Sequence, residues 1–181
     1  EADRMLDMGF VDDLQKIITY LPKKRQNLMF SATMPPKIRA FMRTFLNNPK
    51  EISIAISKPA AGVLQAAYAV YEEQKIALIS SLLKGKDNYK SVLIFSSTKK
   101  KVFDILKGLK REKYSAEAIS SDFEQSERED VLLKFKSKQI QILVATDVIS
   151  RGIDIKDINL VINFDVPGDA EDYVHRIGRT A

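Results

Sequence analysis

Two patterns alternate along the chain: apolar residues at helical spacings, and short apolar runs bounded by polar or turn residues. Val92–Phe95 is apolar at all four positions, which predicts a strand buried on both faces. Strands are predicted over residues 28–30, 51–56, 67–71, 92–95, 115–119, 140–145 and 160–164. Helices are predicted over residues 6–21, 36–48, 74–83, 99–110 and 126–136, with a further helix around 175–179. This alternation predicts an α/β fold with a parallel sheet covered on both faces.

One stretch lacks either pattern and predicts a domain boundary. Ser57 to Gly62 contains small residues, a proline and a glycine, as linkers commonly do. We therefore predict a first domain piece at residues 1–57, a linker at 58–66 and a second domain at 67–181.

Composition excludes several classes of protein. The chain has 181 residues, of which 45% are hydrophobic and 29% charged, which is typical of a folded protein rather than a disordered one. It has no cysteine, which excludes disulfides and thiolate chemistry, and its single histidine, His175, excludes a multi-histidine metal cluster. No apolar run approaches the roughly 20 residues of a membrane-spanning helix, and no signal-peptide pattern opens the sequence. A cytoplasmic protein without a membrane partner is the expectation.

The charge is unevenly distributed. The net charge is +5, yet residues 84–113 alone hold ten basic and three acidic side chains. Such a stretch fits a polyanion partner, and it fits a solvated lysine-rich face equally well.

Polar residues follow the predicted strands of the second domain. Ser96–Thr98, Ser120–Asp122, Thr146–Asp147 and Asp165 each come directly after a strand. Because ligands of parallel α/β sheets bind beyond the carboxyl ends of the strands, these residues are candidates for a site. Helix capping would use the same residue types and remains the alternative.

Cations lie at two predicted helix starts, where they oppose the helix dipole. Thr98 is a predicted N-cap followed by Lys99–Lys101, and Arg128 lies within a predicted capping box of Ser126 and Glu129. An anion bound there would remove the conflict, so a phosphate-bearing ligand is one interpretation and coincidence is the other.

Two further groups are candidates for nucleotide contacts. Gly152 allows close approach of a ligand and Asp154 can accept hydrogen bonds from a ribose, although an Arg151–Asp154 salt bridge is an equal alternative. Arg176 and Arg179, three apart on a predicted helix, share a face that can grip a polyphosphate or simply face solvent.

Together these pieces resemble the DEAD-box family of ATP-dependent RNA helicases. Six short motifs occur in that family's order and approximate spacing across essentially the whole chain. They are Glu1–Asp3 (the end of D-E-A-D, followed by R-M-L-D-M-G-F), Ser31–Thr33 (S-A-T), Val92–Thr98, Gln125–Arg128 (Q-x-x-R), Thr146–Asp154 and Tyr173–Thr180 (Y-V-H-R-I-G-R-T).

The resemblance implies a three-layer, parallel-sheet RecA-like (P-loop NTPase-like) helicase C-terminal domain, preceded by an incomplete piece of the N-terminal RecA-like domain. It also implies ATP and Mg²⁺ as ligands of the intact protein, with the following roles. Glu1 would position or activate the attacking water, and Asp3 would support the magnesium site through water. Arg179 would reach the γ-phosphate with Arg176, the other catalytic arginine, nearby. Gly152 and Asp154 would contact the nucleotide, and Ser31, Thr33 and His175 would couple the sites.

RNA is the second partner that the resemblance implies, held by its sugar-phosphate backbone without sequence reading. The implied contacts are Ser97, Thr98, Gln125, Arg128 and Thr146. The sequence departs from the family at Ser120-Ser121, where many members have His-Gly, and at Ile149-Ser150, where Ala-Ala is commoner.

The implied activity is the unwinding or remodelling of short RNA duplexes by ATP-driven closure of two RecA-like domains. None of the seven glycines completes a G-x-x-x-x-G-K-[ST] phosphate loop, so the 181 residues alone are expected to lack ATPase activity. The alternatives are a non-catalytic module that binds the RNA backbone, and a related superfamily 2 helicase that acts on DNA.

Overall fold

The computed structural model describes residues 2–31, Met34, residues 36–53, residues 62–147, Ile155 and residues 157–180. The chain divides into two compact units, Glu1–Ala55 and Ile56–Ala181. Of the described residues, none belongs to a helix both long and apolar enough to cross a membrane.

The described residues of the first unit form three helices: α1 (Ala2–Asp7), α2 (Val11–Thr19) and α3 (Pro36–Phe45). The single helix predicted over residues 6–21 is wrong, because the chain turns between α1 and α2. Gly9 has a φ of +85°, a conformation that favours glycine. The amides of Gly9 and Phe10 donate to the carbonyls of Leu6 and Met5, which closes the end of α1 in a Schellman motif.

The small core of this unit brings Leu6 of α1 against Ile38 and Phe41 of α3. The strand predicted over residues 28–30 is wrong: this segment is irregular, and Leu28 and Phe30 are exposed. Residues 51–53 are irregular as well, and the remainder of that predicted strand lies outside the described residues. A strand needs a neighbour to pair with, and apolar spacing alone does not supply one.

In the second unit, the residues that the structure describes form a four-stranded sheet with helices on both faces, which confirms the predicted parallel sheet covered on both sides. Its strands are β1 (Val92–Phe95), β2 (Ala116–Ile119), β3 (Ile142–Ala145) and β4 (Leu160–Asn163), all parallel and in the order β2-β3-β1-β4. Its helices are α4 (Lys75–Leu83, after a 3-10 helix at Glu72–Gln74), α5 (Lys99–Arg111), α6 (Gln125–Lys136) and α7 (Ala170–Ile177, before a 3-10 helix at Gly178–Thr180).

Alternate residues of β1 supply two separate cores. Val92 and Ile94 pack with α4 and α5 on one face, while Leu93 and Phe95 pack with α6 on the other. Because both faces are buried, the apolar run of β1 predicted its strand correctly.

The strand predicted over residues 67–71 is wrong. Residues 62–71 are irregular, and Tyr68 and Tyr71 are exposed. Gln65 in this segment accepts a 2.7 Å hydrogen bond from the hydroxyl of Tyr173 in α7.

Candidate functional site

The carboxyl ends of three strands lie side by side in the second unit. Phe95 is in register with Ala145 on one side and with Asn163 on the other. The polar residues that follow, Ser96 and Ser97 after β1 and Thr146 after β3, therefore emerge from adjacent strands spaced about 4.8 Å apart. This is the convergence that the sequence predicted for a parallel sheet.

Asp165, two residues past β4, organises this edge of the sheet. Its Oδ2 accepts hydrogen bonds of 2.9 Å from the hydroxyl of Ser96, the amide of Ser97 and the hydroxyl of Ser97. Its Oδ1 accepts a 2.7 Å bond from the ammonium group of Lys101 on α5. The carboxylate thereby fixes the loop after β1 to the end of β4.

The charge of Asp165 is matched by two lysines. Partial burial by itself would raise the pKa of Asp165, but the bonds from Lys101, Ser97 and Ser96 together hold that pKa well below its usual range. The bond to Asp165 in turn raises the pKa of Lys101. Lys75 lies 3.4 Å from the same carboxylate, and its ammonium group lies 4.7 Å from the ring centre of Phe164.

The start of α5 is capped as predicted. The hydroxyl of Thr98 accepts a 3.3 Å hydrogen bond from the amide of Lys101. Of the cations that oppose the helix dipole, Lys99 forms an ion pair with Asp122, and Lys101 pairs with Asp165 and with Glu72. Carboxylates of the protein itself therefore offset the conflict at Lys99 and Lys101, for which a bound anion was one of two interpretations of the sequence.

The start of α6 differs from the prediction. The capping box of Ser126 and Glu129 is wrong, because the helix begins at Gln125 and the reciprocal pair is Glu124 with Glu127. The amide of Glu124 donates to the Glu127 carboxylate at 2.8 Å. The pairs Glu124–Glu127 and Ser126–Glu129 both have the three-residue spacing of a capping box. The pair nearer the N-terminus forms at the start of α6.

Gln125 and Arg128, the two predicted RNA contacts of α6, have partners within the unit. The amide group of Gln125 donates to Glu129 at 2.8 Å, and one guanidinium nitrogen of Arg128 donates to the carbonyl of Ser121 at 2.9 Å. Arg128 is thus held against the loop that follows β2.

Arg176 of α7 is almost completely buried, at 1% exposure, where the strands end. Its guanidinium group contacts Asp147 at 2.6 and 2.8 Å, Asn163 at 3.1 Å and the carbonyl of Asp165 at 2.9 Å. It also lies 5.1 Å from the ring centre of Phe95. One side chain therefore joins the ends of β1, β3 and β4.

Arg179 lies in the 3-10 helix that follows α7, whereas Arg176 and His175 lie within α7. The two arginines thus occupy different elements, and Arg176 is directed into the sheet edge by its partners. Sequence reasoning missed Asn163 as a partner of Arg176. The available signal in the sequence was that Asn163 is a polar residue at the end of an otherwise apolar strand, Leu160–Asn163.

In the first unit, the structure brings together Asp3 and Ser31. The amide of Asp3 donates to the Ser31 hydroxyl at 3.1 Å, and Asp3 is buried at 4% exposure. The remaining predicted site residues lie outside the described residues: Glu1, Thr33, Gly152 and Asp154.

Two family models match the chain in succession. The model described as "DEAD/DEAH box helicase" matches residues 1–41, and the model described as "Helicase conserved C-terminal domain" matches residues 74–181. The second match alone spans more than half of the chain.

Two curated relatives of this chain are named as ATP-dependent RNA helicases. DEAD-box ATP-dependent RNA helicase CshA of Geobacillus kaustophilus is 42% identical over 181 residues, which covers 99% of this chain and 38% of that protein. ATP-dependent RNA helicase DeaD of Buchnera aphidicola is 43% identical over 181 residues, covering 99% of this chain and 30% of that protein. The chain thus spans about a third of the length of these relatives.

A solved structure of Saccharomyces cerevisiae Dbp5, bound to RNA and ADP BeF3, has a TM-score of 0.83 and 29% identity to this chain. The alignment covers 99% of this chain and 48% of that one. The α/β RecA-like fold predicted from the sequence is therefore confirmed.

Proposed function

The chain belongs to the DEAD-box helicase family, and we propose from this that it forms part of an ATP-dependent RNA helicase that unwinds or remodels short RNA duplexes. The observation that carries the proposal is the succession of both family matches along one chain. The order and spacing of six motifs supports the same conclusion. We include in the proposal the domain bounds 1–57, 58–66 and 67–181 and a cytoplasmic location, where both ATP and RNA are available.

For the nucleotide, the proposal assigns Glu1 and Asp3 of the first unit to the attacking water and the metal ion. Glu1 orients or activates the attacking water, and Asp3 supports a magnesium ion through water. A carboxylate is the hard oxygen ligand that Mg²⁺ prefers, and the amide of Asp3 is already anchored to Ser31. Mg²⁺ would neutralise charge on the phosphates during transfer.

In the second unit, the proposal assigns Arg179 to the γ-phosphate and Gly152 with Asp154 to the nucleotide. His175, with Ser31 and Thr33, couples the nucleotide to the rest of the protein. The contacts of Arg176 with Asp147 and Asn163 support a positioning role for it near Arg179.

For RNA, the proposal assigns the sugar-phosphate backbone to Ser97, Thr98, Gln125, Arg128 and Thr146. Ser97 and Thr98 are exposed beside β1, and Arg128 is held near the loop after β2. Contacts of this kind give affinity without sequence reading.

Hydrolysis of ATP by the full-length protein, with and without RNA, tests the proposal. We expect hydrolysis that RNA stimulates and that Arg179→Ala reduces by at least tenfold, because a cation that stabilises the transferring phosphate is worth about 10³-fold or more in such enzymes. Arg43→Ala, an exposed residue in the last turn of α3, is the control. The 181 residues alone are expected to show no turnover, since they contain no phosphate loop. Stimulation by DNA but not RNA would favour the DNA helicase instead.

A further inference from the structure

The edge of the sheet opposite the candidate site carries an exposed cluster of cations, which we call the basic edge. It is formed where α4 and α5 end and where β1 and β2 begin. Its six residues are Lys84, Lys86, Lys90, Lys110, Arg111 and Lys113. These cations lie in two segments, residues 84–90 and 110–113, whose only carboxylates are Asp87 and Glu112.

Three hydrogen bonds bring these segments together as one surface. The hydroxyl of Tyr114, next to Lys113, donates to the carbonyl of Ser80 in the last turn of α4 at 3.3 Å. The side chain of Gln141 donates to the carbonyl of Tyr89, next to Lys90, at 2.7 Å. The backbone amide of Gln141 donates to Ser115 at 3.0 Å. Gln141 thereby bonds both Tyr89, next to Lys90, and Ser115, two residues after Lys113.

The basic edge differs from the candidate site in how its charges are matched. At the candidate site, Lys75, Lys99 and Lys101 all form ion pairs with carboxylates. Across the part of the chain that the structure describes, no ion pair involves any of the six cations of the basic edge.

Helix dipoles account for only part of the cluster. Lys110 and Arg111 lie in the last turn of α5, where a cation is stabilising. Lys86, Lys90 and Lys113 lie in the loops beyond the helices, where the dipole effect has decayed. Neither a helix dipole nor an ion pair of the described residues therefore relieves their mutual repulsion, and a bound external anion would reduce it.

We propose that the basic edge binds the phosphodiester backbone of RNA at a second surface, separate from the candidate site. The proposal rests on the proposed function in one respect: RNA is the polyanion that this protein would encounter. The 13 residues of α5 place the basic edge about 20 Å from Ser97 and Thr98. A short RNA held at the candidate site does not reach it, whereas a long RNA can engage both.

The test compares how tightly the full-length protein binds a long RNA and a short RNA. Lys84, Lys86, Lys90 and Lys113 are replaced together by Gln. The matched control replaces four exposed lysines of the first unit, Lys16, Lys23, Lys24 and Lys50, by Gln, so that the charge change is identical. Binding of poly(U) and of a short oligo(U) is measured across a salt series, and melting curves verify that both variants are folded.

We expect the basic-edge variant to bind poly(U) about tenfold more weakly than the control at low salt. Its slope of log affinity against log salt should fall by roughly 2 to 3, since each phosphate contact on a single strand contributes about 0.7. Binding of the short oligo(U) should be the same in both variants.

Equal poly(U) binding by the two variants would overturn the proposal and leave a solvated lysine face. Displacement of poly(U) from this surface by poly-glutamate at equal charge concentration would also overturn it, in favour of an acidic protein partner. The proposed function fails separately: loss of long-RNA binding in the variant, together with no RNA-stimulated ATP hydrolysis in the wild type, supports the basic edge and contradicts the helicase.

Discussion

Ser97 is bonded twice to one oxygen of Asp165: its amide and its hydroxyl each donate to Oδ2 at 2.9 Å. An ionised carboxylate only accepts hydrogen bonds, so the hydroxyl proton of Ser97 is committed and its oxygen remains available only as an acceptor. Phosphate oxygens also only accept, whereas the 2′-hydroxyl of a ribose can donate. A side-chain contact from Ser97 to RNA is therefore directed to the sugar.

We predict that Ser97 contributes to the preference for RNA over DNA. Ser97→Ala should reduce the ratio of RNA to DNA affinity by roughly 3- to 10-fold, the value of one hydrogen bond. Titration with matched oligo(U) and oligo(dU) measures it, and Ser137→Ala at the far end of α6 is the control. An unchanged ratio in Ser97→Ala would contradict the prediction.

The lowered pKa of Asp165 predicts a stability difference that depends on pH. Because folding lowers this pKa, the ionised carboxylate stabilises the native state above its ordinary pKa of 3.8, and the contribution is lost as the pH falls below that value. The free energy of unfolding of the wild type should exceed that of Asp165→Asn most at neutral pH, and the gap should narrow with acidification. Urea titrations at several pH values measure this. A gap that stays constant down to the acid limit of folding would show that the charge is not the cause.

Arg176 is predicted to be essential to the stability of the second unit. Arg176→Met removes a buried cation and leaves Asp147 and Asn163 without its hydrogen bonds, which should lower the free energy of unfolding by about 3 kcal/mol or more. Arg111→Met, on the exposed end of α5, should stay within about 0.5 kcal/mol of the wild type. Urea unfolding compares the two. Equal stability of the two variants would refute the proposed positioning role.

Gly108 is predicted to resist replacement although it lies within α5, in its last turn. Alanine normally stabilises a helix by about 1 kcal/mol relative to glycine. Here, an added Cβ would lie 2.8 Å from Cγ2 of Ile76 on α4, so Gly108→Ala should destabilise the protein. The same change in an Ile76→Ala background should be stabilising, because the obstructing atom is gone. Thermal unfolding of the four proteins tests this, and stabilisation by Gly108→Ala alone would disprove the contact.

Strands buried on both faces could be predicted from the sequence because burial leaves a continuous apolar run. β1 was placed at its observed bounds, and β2, β3 and β4 within two residues of theirs. Residues 28–30 and 67–71 show similar apolar character but pair with no strand among the described residues. The helix predicted over residues 6–21 failed for a local reason, since its apolar spacing continues through the turn at Gly9.

The candidate site could be predicted as a set of strand-end residues, but not as a set of contacts. Thr98 was correctly predicted as a cap because capping depends on local sequence. The contacts of Asp165 with Ser97, and of Arg176 with Asn163, require β4 to lie next to β1. These strands are far apart in the sequence, and no local pattern encodes their adjacency.

The most direct test of the helicase assignment is ATP hydrolysis and strand displacement by the full-length protein on a short RNA duplex. The account predicts hydrolysis that depends on RNA, and duplex separation that depends on ATP. Hydrolysis at the same rate with and without RNA, or duplex separation unaffected by removing ATP, would contradict it.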